Sequence, residues 1–412
     1  MTTRNPLPDA TSPAPPAGPK AAPGAGVAAP WLVLLAAPLA ASANGPVLIL
    51  PDIGRSLGVS PTTASLLVTV FAWAVAVGTP LTAALVRRRG LRVALRASTA
   101  LLVAGSATLA LAPWLPLLIV GRAAQALGGA GLVAVAMNLA GSVRRMGAIS
   151  AGFGVFGAVG PLAGSLLSDT LSWRAALLAT LLSLIAVPVV ARRLPAHSDA
   201  DGTPFDARGA LLLTFVVTAL VVLPHHPGLA ATAAGIGIAA LVAHVRTRPE
   251  GFLPAHLLRT PAFLIAAPLA GALATSYFAM LFAVPRLLAD RTDWSTDRIG
   301  ILQMAALLAG AATSWTMASL SARTGRRTTL TVALVLGAAA PLAAVLASGA
   351  PPLLLVTAAA TAAATLGNAA LGVMAADSTT TARRPAAIGL VNLCYQLGGA
   401  FGPVLALLAV AP

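Results

Sequence analysis

Arg122 and Gln125 are the residues whose types and spacing point most directly to chemistry, because both lie inside a long apolar stretch. An ionised arginine in hydrocarbon costs about 2.5 kcal/mol or more, so Arg122 is expected to face a bundle interior or a wet cavity. There it could hold an anionic group or tune a nearby proton exchange, or it could serve only as a hydrogen-bond hub for helix ends. Gln125 lies one turn further along the same face, where it could bind a ligand or support Arg122.

Few other polar side chains fall in the middle of apolar stretches. Sparse polar groups among aliphatic and aromatic ones suit a cavity for a lipophilic, partly polar small molecule. Interhelical packing would explain any one of them equally well. The side chains that we expect along such a pathway are Ser42, Asn44, Asn138, Tyr277, Asn392 and Gln396.

All eleven acidic residues fall in tails, loops or the ends of apolar stretches. A carrier that couples transport to protons usually needs a titratable group within the membrane. Asp52, at the end of the first apolar stretch, is the closest candidate, and Asp377 is the next. We expect any proton coupling to run through one of these two carboxylates, with Arg122 modulating it.

The sequence offers no pattern for a cofactor or a metal. Cys394 is the only cysteine, and His225 and His226 have no third ligand nearby, so neither a disulfide framework nor a metal site is predicted. Nucleotide-binding glycine loops and catalytic Ser/His/Asp or HExxH spacings are absent from the sequence. These observations argue against an enzyme and exclude ATP-driven pumping by this chain.

The elements that must position these residues are membrane-spanning helices. The chain has 412 residues, of which 58% are hydrophobic and 9% charged, and its mean hydropathy is +0.89. Apolar runs long enough to cross about 30 Å of hydrocarbon recur throughout. The thirteen predicted spans are 31–50, 61–84, 93–112, 115–141, 147–168, 173–191, 209–224, 228–245, 261–285, 299–320, 328–348, 352–375 and 386–410.

Basic residues collect in every second gap between these spans. With the N-terminus in the cytoplasm, 20 of the 26 lysines and arginines fall on the inside, five fall outside and Arg122 lies within a span. This is the positive-inside pattern of a multi-pass protein. The net charge of +15 is therefore expected to attract anionic lipid of the cytoplasmic leaflet rather than nucleic acid.

Two short basic turns indicate an internal repeat. The segment "LVRRRGLR" (85–92) follows the second span and "LSARTGRR" (320–327) follows the tenth. Gly90 and Gly325 take equivalent places, where a tight turn between helices needs a residue without Cβ. Duplicated halves are a feature of transporters, and the hairpin 209–245 would then be an insert between them.

At this point the sequence resembles the major facilitator superfamily, in its drug:proton antiporter branch. The loop "GTPLTAALVRRRGLR" (78–92) is similar to the family motif G-x-L-A-D-R-x-G-R-R, with Ala83 and Arg87 at its glycine and aspartate positions. The departure at Arg87 puts the gating bridge of that aspartate in doubt. The residues that carry the loop motif in its two copies are Gly78, Arg88, Gly90, Arg92, Arg323, Gly325 and Arg326.

Three further segments carry the resemblance. "GRAAQALGGAG" (121–131) is similar to the fourth-span motif R-x-x-Q-G, and "AAIGLVNLCYQLGGAFGP" (386–403) to the thirteenth span of fourteen-helix members. In the first span, Ser42 takes the place of the membrane aspartate of that group. "FGAVGPLAGS" (156–165) is similar to the fifth-span antiporter motif. We expect its residues to form a seam that moves during alternating access: Gly157, Gly160, Pro161 and Gly164.

The resemblance implies an all-α polytopic membrane protein, a bundle of two pseudo-symmetric six-helix halves with a two-helix central insert and no last helix. The expected parts are a disordered tail (1–30), an N-terminal half (31–192), a linker (193–208), the insert (209–245) and a C-terminal half (246–412).

The implied function is export of a small amphiphilic molecule from the cell across the plasma membrane, by a monomer exchanging it for protons. A degenerate paralogue acting as a partner or scaffold is the alternative, since aspartates are lost at Ser42, Arg87 and Ala322. Nutrient uptake is a third possibility, against which the fifth-span motif argues.

Overall fold

The computed structural model describes residues 27–140, 143–194, 205–223, 226–249, 251–379 and 384–409. Most of the predicted tail 1–30, the centre of the predicted linker 193–208, His225 and residues 410–412 lie outside these ranges. Every regular element within the described ranges is a helix, which confirms the all-α prediction.

The helices follow one another along the chain with short connections. The α-helices are α1 Ala29–Ala36, α2 Pro38–Asn44, α3 Leu50–Leu57, α4 Pro61–Ala64, α5 Leu66–Leu111, α6 Leu115–Ala140, α7 Val143–Thr170, α8 Trp173–Leu177, α9 Val187–Arg193, α10 Ala207–Val222, α11 Pro227–Thr247, α12 Pro261–Arg291, α13 Thr296–Thr324, α14 Arg326–Leu346, α15 Ala350–Asp377 and α16 Arg384–Ala409. Three 3₁₀ helices accompany them, Gly45–Val47, Ala179–Ile185 and Leu257–Arg259.

Eleven helical segments of the described chain are long and apolar enough to cross a membrane, and they coincide with eleven of the thirteen predicted spans. The seventh predicted span is α10, which is apolar but only 16 residues long. The sixth, 173–191, is not continuous, because α8, a 3₁₀ helix and α9 follow one another there. The predicted span over 173–191 is thus helical but interrupted, and the multi-pass architecture is confirmed.

The first span is also interrupted, and here the sequence supplies the reason. Pro38 begins α2, and Pro46 lies in the 3₁₀ helix Gly45–Val47 that separates α2 from α3. Proline has no backbone N–H, so it removes a hydrogen bond from the helix that contains it. The span Ala29–Val47 consequently consists of α1, α2 and the 3₁₀ helix rather than one regular α-helix.

The two basic turns have the same backbone conformation. Gly90 divides α5 into the second and third spans with φ 80° and ψ 170°, and Gly325 separates α13 from α14 with φ 82° and ψ 154°. An L-residue is strained at such positive φ. The equivalence of the two glycines, predicted from the repeat, is confirmed.

One apolar cluster joins the two halves of the bundle. Among its buried members are Ile53 and Leu67 of the N-terminal half and Leu281 and Leu307 of the C-terminal half. They belong to the helix ends remote from the arginine-rich turns. We call this group the shared cluster, and it closes the molecule at one end.

Packing at the opposite, arginine-rich end is divided. Leu102 and Leu139 belong to a cluster built only from the N-terminal half. Phe263 and Leu390 belong to a separate cluster of the C-terminal half and the insert, which also takes in Ala76 and Val77 of the second span. The halves are therefore joined less extensively here.

The insert hairpin α10–α11 contacts both halves. Trp73 Nε1 of the second span donates a hydrogen bond to Thr218 Oγ1 at 3.0 Å. At the basic end, Asp206 caps α10 by accepting from the Gly209 N–H at 3.0 Å. It also accepts from the Phe252 N–H at 3.0 Å and lies 2.8 Å from His244 Nε2. Asp206 thus ties both insert helices to the loop that leads into the C-terminal half.

Removing this carboxylate should weaken the protein in a pH-dependent manner. Burial raises the pKa of Asp206, but hydrogen bonds from Phe252, Gly209 and His244 outweigh it and hold the pKa below its ordinary value. Such a group stabilises the fold above its unfolded pKa, and the stability is lost as pH falls through the folded pKa. We expect Asp206→Ala to cost about 1–2 kcal/mol at neutral pH, and less below roughly pH 4. Thermal unfolding of the purified protein at pH 7 and below pH 4 measures this, and an equal cost at both values would contradict it.

Candidate functional site

Arg122 is completely buried on α6. Its Nη1 donates to Ser42 Oγ at 2.8 Å, to Gln125 Oε1 at 2.7 Å and to the Leu177 carbonyl at 3.2 Å. Its Nη2 donates to the Ser42 carbonyl at 2.5 Å. The guanidinium carbon lies 4.1 Å from the centroid of the Phe71 ring, a favourable cation–π geometry. The structure therefore places Arg122 in the bundle interior, as its cost in lipid predicts.

Gln125 and Ser42 extend this network to further helices. Gln125 Nε2 donates to Ser106 Oγ of the third span at 3.1 Å and to the Leu177 carbonyl at 3.0 Å. Ser42 Oγ donates to the same carbonyl at 3.1 Å. The Leu177 oxygen thus accepts from three side chains, including that of Arg122. These hydrogen bonds, together with the contact of Arg122 with Phe71 of the second span, hold together five of the six predicted spans of the N-terminal half.

Both carbonyls of the network are free because their helices are interrupted. In a regular helix the Leu177 carbonyl would accept from the N–H of Leu181, but that N–H bonds to Leu178 instead. The Ser42 carbonyl would accept from residue 46, which is Pro46 and has no N–H. A buried carbonyl without a partner is costly, and Arg122 satisfies both.

The Arg122 guanidinium already has partners within the protein, two side-chain oxygens and two backbone carbonyls. Four of its hydrogen bonds are accounted for, its Nε has no hydrogen-bond partner, and in the described part of the chain no carboxylate bonds to it. In the closed network its guanidinium has no exposed surface on which a ligand could sit. The geometry thus favours the hydrogen-bond hub over direct substrate binding.

In the fifth-span motif, too, a carbonyl without its helical donor accepts a hydrogen bond from a side chain of another span. Pro161 leaves the Gly157 carbonyl without its helical donor, and Asn44 Nδ2 of the first span donates to that carbonyl at 2.9 Å. Asn44 is buried. The sequence placed it along the pathway, and in the structure its side chain bonds the first span to the fifth.

The C-terminal half contains two more carbonyls of this kind. Pro285 frees the Leu281 carbonyl, which accepts from Gln303 Nε2 at 2.9 Å. In the same way Pro341 frees the Gly337 carbonyl, which accepts from Ser276 Oγ at 2.6 Å. Neither Ser276 nor Gln303 was among the residues that the sequence placed along the pathway. The missed signal was a proline four residues after the carbonyl.

The glycines of the fifth span face the first span of the same half. A Cβ at Gly160 would lie 2.9 Å from the Ala41 carbonyl oxygen, and one at Gly164 would lie 2.2 Å from that of Gly45. The predicted close approach is therefore present, but it lies within the N-terminal half and not between the halves. The neighbouring face of α7 meets the C-terminal half, since a Cβ at Gly154 would lie 3.8 Å from Ala311.

An aromatic group lies where the halves meet. The rings of Tyr277 and Phe278 have centroids 4.8 Å apart, and those of Phe278 and Tyr395 are 6.3 Å apart, both in edge-to-face geometry. The Tyr277 side chain approaches the Asn44 side chain of the other half. The structure thus brings together two helices of the C-terminal half and one of the N-terminal half.

Asn392 and Gln396 lie next to this group on α16 and are partly buried. Asn138 does not join them, because it is exposed and donates to the Ala134 carbonyl of its own helix at 2.7 Å. Its place along the pathway stays a prediction.

The two candidate carboxylates also lie apart from Arg122. Asp52, in the first turn of α3, forms an ion pair with Arg55 in the last turn of that helix. Asp377 pairs with Arg326 at 3.4 Å, with both side chains well exposed. Neither bonds to the Arg122 network, so a modulating role for Arg122 would have to act over a distance.

The loop-motif residues make ordinary structural contacts. A Cβ at Gly78 would lie 3.1 Å from the Leu127 side chain, so this glycine lets the second and fourth spans pack closely. The Arg92 guanidinium donates to the Leu194 carbonyl at 2.8 Å, and the Arg88 guanidinium lies 5.5 Å from the Phe205 ring. Arg323 falls in the last turn of α13.

An apolar crevice of about 370 Å³ opens between α1 and α7. Its lining residues are Ala29, Pro30, Val33, Leu34, Ala148 and Phe156. No group of three metal-ligating side chains occurs within the described ranges.

Comparison with known families gives a match to the model of the Major Facilitator Superfamily over residues 31–292 and 266–411. An uncharacterized MFS-type transporter of Mycobacterium tuberculosis is 28% identical over 248 residues, which are 56% of this chain and 36% of that protein. A chloramphenicol resistance protein of Streptomyces lividans is 35% identical over 134 residues, 31% of this chain and 34% of that protein. The matched regions thus span about a third of each relative.

Solved structures share the fold. A POT family transporter in complex with 5-aminolevulinic acid superimposes with a TM-score of 0.66 at 14% identity, covering 92% of this chain and 89% of that one. A POT family transporter in complex with a thioalcohol-conjugated peptide gives a TM-score of 0.65, also at 14% identity. At this identity the likeness concerns the architecture alone.

Proposed function

The family match spans nearly the whole chain, so the protein belongs to the major facilitator superfamily, and we propose that it exports small amphiphilic molecules in exchange for protons. Members of this family are transporters rather than enzymes. The proposed carrier lies in the plasma membrane with its arginine-rich turns in the cytoplasm, works by rocking of its halves and serves drug or antibiotic efflux.

The shared cluster is the observation that carries this proposal. It joins the halves at the end away from the arginine-rich turns, whereas the clusters at the other end are largely separate. A carrier that alternates between two states needs one closed end and one end free to separate. With the arginines inside, the described state is closed toward the outside.

Two further observations favour export. The fifth span carries the glycine–proline pattern that resembles the antiporter branch, and Asn44 and the first span pack on it. The chloramphenicol resistance protein of Streptomyces lividans among the relatives suggests an uncharged antibiotic as the first compound to try.

Transport in inverted membrane vesicles tests the proposal. The cytoplasmic face then points outward, so an exporter accumulates chloramphenicol inside the vesicle. We expect several-fold accumulation over vesicles without the protein when the lumen is acidified, and collapse to the control level when the pH gradient is dissipated. Equal uptake with and without the protein, across a panel of drugs, would favour the non-transporting paralogue.

The same vesicle assay shows whether a variant has lost its coupling to protons or its ability to move the compound. Asp52→Asn and Asp377→Asn decide whether either carboxylate carries the exchanged proton. Replacing the carrier of the proton abolishes the response to the pH gradient but leaves downhill movement of the compound. An undiminished response in both variants would remove these two residues from the coupling mechanism.

A further inference from the structure

Most polar side chains near the middle of the bundle are already bonded to the backbone. Ser42 and Asn44 in the N-terminal half and Ser276 and Gln303 in the C-terminal half each donate to a carbonyl left free by an interrupted helix. Arg122 and Gln125 do the same. These donors are therefore occupied in holding helices together.

Three carboxamides of the described chain differ from this group, Asn368 of α15 and Asn392 and Gln396 of α16. Asn392 and Gln396 lie one turn apart on α16 and are partly buried, yet neither has a hydrogen-bond partner in the described part of the chain. Each carboxamide carries two donors and an acceptor. Their oxygen and nitrogen atoms are not among the buried atoms that lack a partner, so this pair is accessible to a molecule that enters between the halves.

The helix α16 borders the N-terminal half. Its residues Leu390 and Val391 pack in one cluster with Ala76 and Val77 of the second span. Further along the same helix, Gly399 packs on Phe278 of α12. Asn392 and Gln396 lie between these two contacts in sequence, one turn apart on one face of α16.

Aromatic rings border the two amides. Tyr395 is adjacent to Gln396 in sequence, and its ring lies edge-to-face with Phe278 at 6.3 Å. Tyr277 links this group to the other half through Asn44. Amides beside aromatic surface suit a ligand with a planar apolar part and a polar group at its edge.

We propose that Asn392 and Gln396 form a specificity site for uncharged substrates that bear amide, carbonyl or hydroxyl groups beside an aromatic ring. This inference rests on the proposed function and names its substrate class. A carboxamide pair can donate and accept at once, whereas an ion placed here would lie without a counter-charge, which is costly away from water. The buried Arg122 is not part of this recognition.

Binding to the purified full-length protein tests the site independently of transport. Radiolabelled chloramphenicol, an uncharged amide with two hydroxyl groups, is the probe. We expect Asn392→Leu and Gln396→Leu each to weaken its binding about tenfold, as the loss of one or two hydrogen bonds implies. Thr232→Val, at a threonine of the insert whose hydroxyl bonds only within its own helix, is the control and should bind as the wild type does.

A charge introduced at the site gives a second readout. Gln396→Glu should weaken chloramphenicol binding and strengthen binding of ethidium, a permanent cation, because the carboxylate supplies the missing counter-charge. Melting temperatures confirm that all variants are folded. Wild-type affinity for chloramphenicol in both leucine variants, or no binding to the folded wild type, would overturn the site. Binding without accumulation in vesicles would instead count against the proposed export.

Discussion

Arg122→Met should lower the free energy of unfolding by about 3 kcal/mol or more. Four charge-assisted hydrogen bonds end at Arg122, and each contributes about 1.5–3 kcal/mol. Removing the charge recovers only about 2.5–3.5 kcal/mol of insertion cost, so the loss of bonds wins. Methionine fills much of the volume but leaves the Ser42 carbonyl without a donor. Thermal unfolding followed by size-exclusion chromatography measures the effect.

Arg298→Leu is the matched control for this prediction. Arg298 is exposed and its guanidinium lies 4.3 Å from the Trp294 ring, so it has a cation–π contact without the buried network. Its replacement should change stability by less than about 1 kcal/mol. An Arg122→Met protein that melts like the wild type but no longer transports would reject the hub and restore a direct role in the pathway.

Gly164→Ala should disrupt the junction between the first and fifth spans. The added Cβ would lie 2.2 Å from the Gly45 carbonyl oxygen and 2.8 Å from its carbon, so the backbone of the first span has to move. Forcing such a shift in a packed interior costs about 1–3 kcal/mol or more. It also displaces the helix whose Ser42 and Asn44 bond to its neighbours. We expect both a lower melting temperature and at least a tenfold loss of transport.

Gly154→Ala, on the same helix, should not lower the stability of the protein. Its Cβ would meet only Ala311, at 3.8 Å, which is ordinary contact, and alanine favours a helix over glycine by about 1 kcal/mol. This variant should be as stable as the wild type or more so. If both alanine variants behaved alike, close approach at Gly164 would not be the reason for its glycine.

The spans and turns could be predicted from the sequence because their causes are local. Runs of apolar residues suffice for crossing lipid, and eleven of the thirteen segments meet the length and composition that this requires. Gly90 and Gly325 take positive φ that their repeated context predicts. The burial of Arg122 likewise follows from its own cost in hydrocarbon.

The partners of each residue could not be predicted, because they depend on tertiary packing. Residues 175–187 contain neither glycine nor proline, so nothing local announces the break after Leu177. The helix is interrupted there where Ser42, Arg122 and Gln125 bind the Leu177 carbonyl. The glycine face of the fifth span was predicted as a seam, but only the structure identifies the first span as its neighbour.

The carbonyls freed by proline also bear on how the protein is made. In hydrocarbon an unpaired carbonyl costs several kcal/mol, and the chain emerges from the ribosome in order. The Ser42 carbonyl precedes its donor Arg122 by 80 residues, whereas Asn44 is already present when Gly157 arrives 113 residues later. We therefore expect the first span to stay near protein or water, and not to enter lipid alone, until the fourth span has been synthesised.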